Sequence, residues 1–289
     1  HETVLAKPSL SVQQAATART ELAQDYLRAG LMDRAESLLQ SLVSSGTELD
    51  ASLELLLDLY EQGRDWSQAI ATARRLESVR GIALSSRISQ YFCELAEAAL
   101  HAGELETAQR EAERALDTDR GCVRASLFLG SLFEKRGDSS AATRAYSRAI
   151  EQDNRYLPEA LAPLKRCFDA AADADGYKAF LDDAEADYPD SIAILLAKTQ
   201  LQRLAGEDRQ AYLAECLSKK PDWRALLFWL EGIESAVPDA ASIREALHKR
   251  MQMRPRYVCS SCGLSPSVLF WQCPSCKQWA TISPASDAI

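Results

Sequence analysis

Four cysteines near the end of this 289-residue sequence are spaced for metal chemistry. They stand as Tyr257-Val-Cys259-Ser-Ser-Cys262-Gly263 and, after ten intervening residues, Cys273-Pro274-Ser-Cys276. One C-x-x-C pair is a weak signal; two in this arrangement are a strong one. Each pair predicts a tight turn that aims two sulfurs and several backbone N–H groups at a common centre. Gly263 permits the positive φ that follows such a turn, and Pro274 fixes the backbone inside the second. Two facing turns give a tetrahedral set of four sulfurs, suited to one zinc or iron ion. Cys259, Cys262, Cys273 and Cys276 are therefore the expected metal ligands. Four thiolates leave no position open for water, so catalysis at the ion is not expected. The spacing does not separate zinc from iron.

About 30 residues cannot bury a sufficient core, so the bound ion must supply folding energy to the tail. Tyr257, Phe270, Trp271 and Trp279 are expected to form an aromatic shell, and Val268–Trp271 a short strand leading into the second turn. Lys249, Arg250, Arg254, Arg256 and Lys277 surround the cysteines in sequence. Their expected role is to offset the charge of the thiolates and to dock the tail; a nucleic-acid patch is the sharper alternative.

The segment that must carry this tail is organised by a repeat. Leu22-Ala23, Tyr26, Gly30, Asp33 and Ala35 recur as Leu56-Leu57, Tyr60, Arg64, Trp66 and Ala69. They recur again as Leu95-Ala96, Ala99, Gly103, Leu105 and Ala108, then as Leu129-Gly130, Phe133, Gly137 and Ala142. The alanines step by 34, 39 and 34 residues, with five residues inserted near 78–86. Such a unit predicts two antiparallel helices. Small residues at Ala23, Ala96 and Gly130 let the first helix of each pair approach its neighbour. The glycine, or Arg64 in its place, ends that helix in a left-handed cap. Asp33, Asp65 and Asp138 lie where a carboxylate helps cap the second helix. One pair cannot bury its own apolar face, so the pairs must stack.

Weaker copies are expected over 156–187, 190–221 and 222–254, with Pro189 and Pro221 where units should end and Pro238 just before the second helix of the last pair. The expected organisation is 1–15 as the end of an earlier repeat, 16–254 as about seven helix pairs, and 255–289 as the metal-binding tail. The first helices of the pairs should line one face, bringing Glu54, Asp58, Glu61, Cys93, Glu97, Arg124, Ser131 and Lys135 to it. Glu54, Asp58, Glu61, Glu97, Arg124 and Lys135 are the candidate partner-binding residues.

Composition bounds the rest. The net charge of −9 argues against general nucleic-acid binding. No apolar run approaches the roughly 20 residues that span a bilayer. Cys93, Cys122, Cys167 and Cys216 are scattered singly, which fits a reducing compartment. His1, His101 and His248 are the only histidines and form no catalytic motif, and no glycine-rich phosphate loop occurs. A non-enzymatic, protein-binding scaffold is the expected function; a nucleic-acid-associated ribbon protein and an iron electron-transfer protein are the alternatives. The chain opens on His1 rather than Met, and residues 1–6 fall where a helix of an earlier repeat would end, so further sequence is expected before it.

The repeat resembles the tetratricopeptide repeat, most clearly over 16–154. The tail, with Pro255-Arg256-Tyr257, the four cysteines, Trp271 through Trp279 and Thr281-Ile282, resembles a rubredoxin-like ribbon. Repeats followed directly by this ribbon resemble the lipopolysaccharide assembly protein B family of Gram-negative bacteria. That resemblance implies an all-α tetratricopeptide solenoid with a small metal ribbon on the cytoplasmic face of the inner membrane, anchored by an N-terminal helix. It also implies control of lipopolysaccharide synthesis. The implied partners are a membrane AAA protease and the lipid A-pathway deacetylase it degrades, with other lipopolysaccharide-assembly proteins. No nucleic-acid partner is expected, and a homodimer is left open.

Overall fold

The computed structural model describes residues 10–189, 191–205, 209–219, 221–231, 240–253 and 255–285. Residues 1–6, Pro238 and Arg254, named above, lie outside them. The described residues hold fourteen α-helices in seven successive pairs. The first four pairs are α1 (Val12–Arg28) with α2 (Met32–Ser45), α3 (Leu49–Gly63) with α4 (Trp66–Arg80), α5 (Ser85–His101) with α6 (Leu105–Thr118), and α7 (Val123–Arg136) with α8 (Ser139–Gln152). A 3-10 turn, Asn154–Tyr156, leads into the weaker copies. These are α9 (Leu157–Ala170) with α10 (Ala174–Asp187), α11 (Ile192–Ala205) with α12 (Arg209–Lys219), and α13 (Trp223–Glu231) with α14 (Ala240–Met253). None of the described helices is long and apolar enough to cross a membrane. The chain divides into two compact units, His1–Ala125 and Ser126–Ile289.

The repeat is built on one backbone turn. Gly30, Arg64, Gly103 and Gly137 all take positive φ, between 55° and 81°. Each time the next residue's N–H reaches back to the last turn of the first helix: Leu31 to the Tyr26 carbonyl, Asp65 to Tyr60, Glu104 to Ala99, each at 2.9 Å, and Asp138 to Phe133 at 3.0 Å. This is the hydrogen bond that closes a Schellman cap. The fifth pair repeats it without a glycine, since Ala172 has φ 54° and Asp173 N–H reaches Phe168 O at 3.0 Å. Asp65, Asp138 and Asp173 then cap the second helix, accepting from Gln68, Ala141 and Gly176 backbone N–H groups. Asp33 departs from the expectation. It sits inside the first turn of α2, whose N-cap is Leu31 with no side-chain bond, so its carboxylate acts only on the helix dipole.

The small residues do what the repeat requires. Ala23, Ala35, Ala69, Ala96, Ala108 and Ala142 are fully buried. A Cβ added at Gly130 would stand 2.6 Å from the Tyr146 ring, so α7 and α8 approach too closely for any side chain there. The first unit is cored by Leu39, Leu42, Leu57, Leu76, Tyr91 and Phe92, with Trp66 stacked on Tyr91 at 5.8 Å. The second is cored by Tyr146, Leu157, Leu164, Tyr177 and Leu181, with Phe168 packed against that cluster.

The tail forms a two-stranded antiparallel sheet. β1 (Tyr257–Cys259) pairs with β2 (Ile282–Pro284), Tyr257 opposite Pro284 and Cys259 opposite Ile282. The expected strand at Val268–Trp271 is absent. That segment runs as loop and bends, followed by one isolated bridge between Gln272 and Trp279. The β pattern read from Val268-Leu-Phe-Trp271 had no neighbouring strand to pair with.

Arg64 holds the left-handed turn without a glycine, and its side chain is exposed. Arg64→Gly should relieve roughly 1 kcal/mol of backbone strain, partly offset by the greater freedom of glycine in the unfolded chain. A small rise in the thermal midpoint, followed by circular dichroism, is the expected result; an unchanged or lower midpoint refutes the assignment of strain to this turn.

Candidate metal centre

The two cysteine turns are near copies of one another. Gly263 N–H donates to the Cys259 carbonyl and Lys277 N–H to the Cys273 carbonyl, each at 2.9 Å. Cys259 N–H in turn reaches the Leu264 carbonyl at 2.8 Å, and Cys273 N–H the Gln278 carbonyl at 2.9 Å. Gly263 and Lys277 both have positive φ, 75° and 61°. The sequence displays this conformation as glycine in the first turn and hides it as lysine in the second.

The turns face each other. Cys259 Sγ lies 3.8 Å from Cys276 Sγ, and Cys262 Sγ 3.7 Å from Cys273 Sγ. All four sulfurs lie within 4.8 Å of one another. A zinc–sulfur bond of about 2.3 Å in a regular tetrahedron puts neighbouring sulfurs about 3.8 Å apart. The donor set therefore fits one tetrahedral ion, and zinc and iron share these dimensions. Cys259 and Cys273 are buried, whereas Cys276 is half-buried and Cys262 exposed.

Local donors prepare the sulfurs for the ion. Cys259 is held down to about 6, first by the Thr281 hydroxyl 3.3 Å away and then by the Cys262 and Ser261 N–H groups, against burial. Cys276 is lowered, chiefly by the Gln278 N–H. Burial pushes Cys273 up to about 11, although the Cys276 and Ser275 N–H groups oppose it. A dication brings all four to thiolate and leaves a charge of roughly −2, which these N–H groups and the hydroxyl partly neutralise.

The ribbon's own core is small: Tyr257, Cys259, Cys273 and Ile282, with Leu264 and Leu269 packed against them. The expected aromatic shell divides. Tyr257 is buried, Trp271 and Trp279 are half-buried, and Phe270 is exposed. Trp271 turns away from the ribbon core and stacks on Tyr156, with ring centres 5.7 Å apart and planes at 14°.

The contact with Tyr156 belongs to a docking face that sequence reasoning missed. The buried Tyr156 hydroxyl donates to the Ile282 carbonyl at 3.0 Å, across 126 positions. Arg155 reaches Ser283 Oγ at 3.0 Å while Asp153 holds its guanidinium. Glu159 on α9 accepts from Tyr257 Oη at 2.7 Å and from Arg256 at 3.1 Å. Burial first, and then the Glu159 carboxylate, push the Tyr257 hydroxyl up to about 12, so it remains a donor at neutral pH. Of the basic residues expected to dock the tail, Arg256 does so. Lys249 instead pairs with Glu245 on its own helix.

The candidate partner-binding residues are mostly engaged within the helices. Glu54 pairs with Arg80 and Arg87. Asp58 lies 3.5 Å from Arg87, and burial raises its carboxyl despite that guanidinium. Glu61 holds Arg87 at 2.8 Å and accepts from the Tyr91 hydroxyl. Glu97 and Glu94 hold Arg124, which is buried. Lys135 is exposed and Ser131 half-buried, while Cys93 is buried rather than lining an open face.

Two outcomes test this geometry. Elemental analysis should find one metal ion per chain; a strong chelator should strip it and dissolve the ribbon's order, while the far-ultraviolet helical signal persists. Loss of helix in step with the metal would contradict a separately cored repeat region. Tyr156→Phe leaves the buried Ile282 carbonyl short of a donor, at a cost of about 1–3 kcal/mol. Chelator-driven metal loss should then speed up roughly tenfold, because undocking exposes the site; an unchanged rate means that docking does not guard the ion.

Comparison with known proteins agrees with this construction. A family described as a rubredoxin metal binding domain matches residues 257–284. Lipopolysaccharide assembly protein B of Escherichia coli K12 is 28% identical over 98% of this chain and 75% of its own length. The Haemophilus influenzae protein of the same name is 29% identical over 99% of this chain and 74% of its own. Among solved structures, MamA protein superposes with a TM-score of 0.37 at 15% identity, covering 61% of this chain and 97% of that one. Repeats and ribbon together thus make this chain similar, along nearly its whole length, to lipopolysaccharide assembly protein B.

Proposed function

We infer that this chain is a non-catalytic scaffold in the regulation of lipopolysaccharide assembly, holding protein partners on its helix pairs while the ribbon stays fixed against them. The observation that carries the reading is that one alignment with lipopolysaccharide assembly protein B covers 98% of the chain, so repeats and ribbon are related as a single arrangement. The closed set of four sulfurs supports a structural ion, since it keeps no open coordination position.

The finer reading is that the scaffold presents the lipid A-pathway deacetylase to a membrane AAA protease, on the cytoplasmic face of the inner membrane, through an anchor preceding His1. Its working parts would be a repeat region over 16–254 and a ribbon over 255–289. In the first unit the partner surface would use Glu54, Asp58 and Glu97, with Glu61 kept in its pair with Arg87; the exposed Lys135, in the second unit, would be a separate contact. Arg124, only 3% exposed, would hold Glu97 in place rather than touch a partner.

The test uses the full-length protein in its own cells, comparing wild type with the double variant Cys259→Ser/Cys262→Ser. The deacetylase should persist several-fold longer when the ribbon cannot bind its ion, and it should no longer co-purify with scaffold and protease together. Unchanged deacetylase turnover, with the variant's metal demonstrably lost, overturns the reading.

A further inference from the structure

Two of the cysteines that look isolated in sequence meet in the first unit. Cys93 lies within α5, and Cys122 ends the turn that leads into α7. That turn is fixed by Asp119, whose carbonyl accepts from Cys122 N–H at 3.0 Å and whose carboxylate accepts from Gly121 N–H at 2.9 Å. It places Cys122 Sγ 3.8 Å from Cys93 Sγ. Both residues are free thiols and nearly fully buried, 1% and 2% exposed.

Donors converge on Cys122 rather than on Cys93. Gln90 Nε2, itself buried, stands 3.5 Å from Cys122 Sγ. Cys122 immediately precedes α7, and the Ala125 N–H of that helix's first turn is aimed back at the same sulfur. A thiol over the N-terminus of a helix is stabilised as thiolate. Cys122 is accordingly held down to about 7, first by the hydrogen bond from Cys93 and then by the Ala125 N–H, against burial. Cys93 is pushed well up, by donating that bond and by burial. One sulfur is thus prepared as nucleophile and the other, in contact with it, as the thiol that follows.

We propose that Cys93 and Cys122 form a redox-active dithiol that a hydroperoxide converts into a disulfide, a modification site separate from the metal ribbon. The Cys122 thiolate attacks the outer oxygen of the hydroperoxide. A sulfur–oxygen bond forms, the O–O bond breaks, and the departing alkoxide or hydroxide takes a proton and leaves as alcohol or water. Cys122 is then a sulfenic acid. The Cys93 sulfur attacks it, the S–O bond breaks, and the Cys93 proton leaves with hydroxide as water. Two thiols and one hydroperoxide give one disulfide, one alcohol and one water, the sulfur pair losing the two electrons that the O–O bond gains. The sulfurs must close from 3.8 Å to about 2.05 Å. Cys122 stands at the edge of a short turn whose Arg120 and Gly121 are exposed, so closure and peroxide entry need only local opening there. The bond would tie α5 to the first turn of α7, beside the cluster of Glu94, Glu97 and Arg124.

The third buried thiol, Cys167, is an internal control. It is as buried as Cys122, and burial raises its thiol instead. At neutral pH the larger thiolate fraction of Cys122 outweighs its lower intrinsic nucleophilicity, so Cys122 should react several-fold faster. The experiment treats the full chain, ribbon loaded, with dilute hydrogen peroxide, alkylates the remaining thiols after denaturation, and maps the peptides by mass spectrometry. The expected product links the peptides of Cys93 and Cys122 while Cys167 is still alkylated. In Cys93→Ser the Cys122 sulfenic acid should be trapped by a cyclic 1,3-dione; in Cys122→Ser no dione adduct should form at Cys93. The proposal is overturned if both cysteines remain alkylatable at a dose that oxidises Cys167, or if Cys122 links only to ribbon cysteines. The wild-type map decides this even where a variant folds poorly.

Discussion

Four thiolates held within 4.8 Å of one another repel unless a cation stands between them. Everything about the ribbon follows from that constraint. Its apolar core amounts to Tyr257, Ile282 and the buried faces of Cys259 and Cys273, with Leu264 and Leu269 packed against them, far less than an independent fold requires. The ion therefore acts as the core, contributing on the order of 10 kcal/mol as structural zinc does elsewhere. The two cysteine turns are the scaffold of that site, and the two-stranded sheet is what remains when the chain ends leaving the turns are brought together.

Docking consequently depends on metal binding. Ile282 and Ser283 belong to β2, and Tyr257 to β1, so the groups that meet α9 and the turn before it are aligned only when the sheet exists. The helical side presents them with Tyr156, Arg155 and Glu159, all within a few residues at one helix start. An ordered ribbon pins that start, and a disordered one releases three hydrogen-bonding partners and the face of Trp271 together.

What could be read from sequence was local. The helix-ending turns, the buried alanines and the two C-x-x-C pairs each announce themselves within a few residues, because glycine, alanine and cysteine stand where backbone geometry or valence demands them. Where another residue type fills the same geometry the signal fades: Arg64 is marked only by its place in the repeat, and Ala172 and Lys277 take left-handed conformations that nothing in their residue type marks. Long-range placement was not legible. Tyr156 gave no sign of reaching Ile282, and Cys93 and Cys122 read as scattered although their sulfurs lie in contact. Val268-Leu-Phe-Trp271 carried a strand's residue types, but its path is set by the sulfurs on either side, which leaves Phe270 outside and sends Trp271 to a neighbouring helix.

The charged face of α3 and α5 obeys a related logic. Its acids are not a loose solvated row; the arginines of α4, α5 and α7 thread between them. The pairs differ in how much water they keep. The Asp58 side chain is 49% exposed, and exposed pairs contribute at most about 1 kcal/mol, so its contact with Arg87 adds little. Glu61 and Arg124 are 10% and 3% exposed, and breaking their pairs would strand a buried charge. A basic segment meeting this face would add its charge to the exposed acids and leave those buried pairs closed.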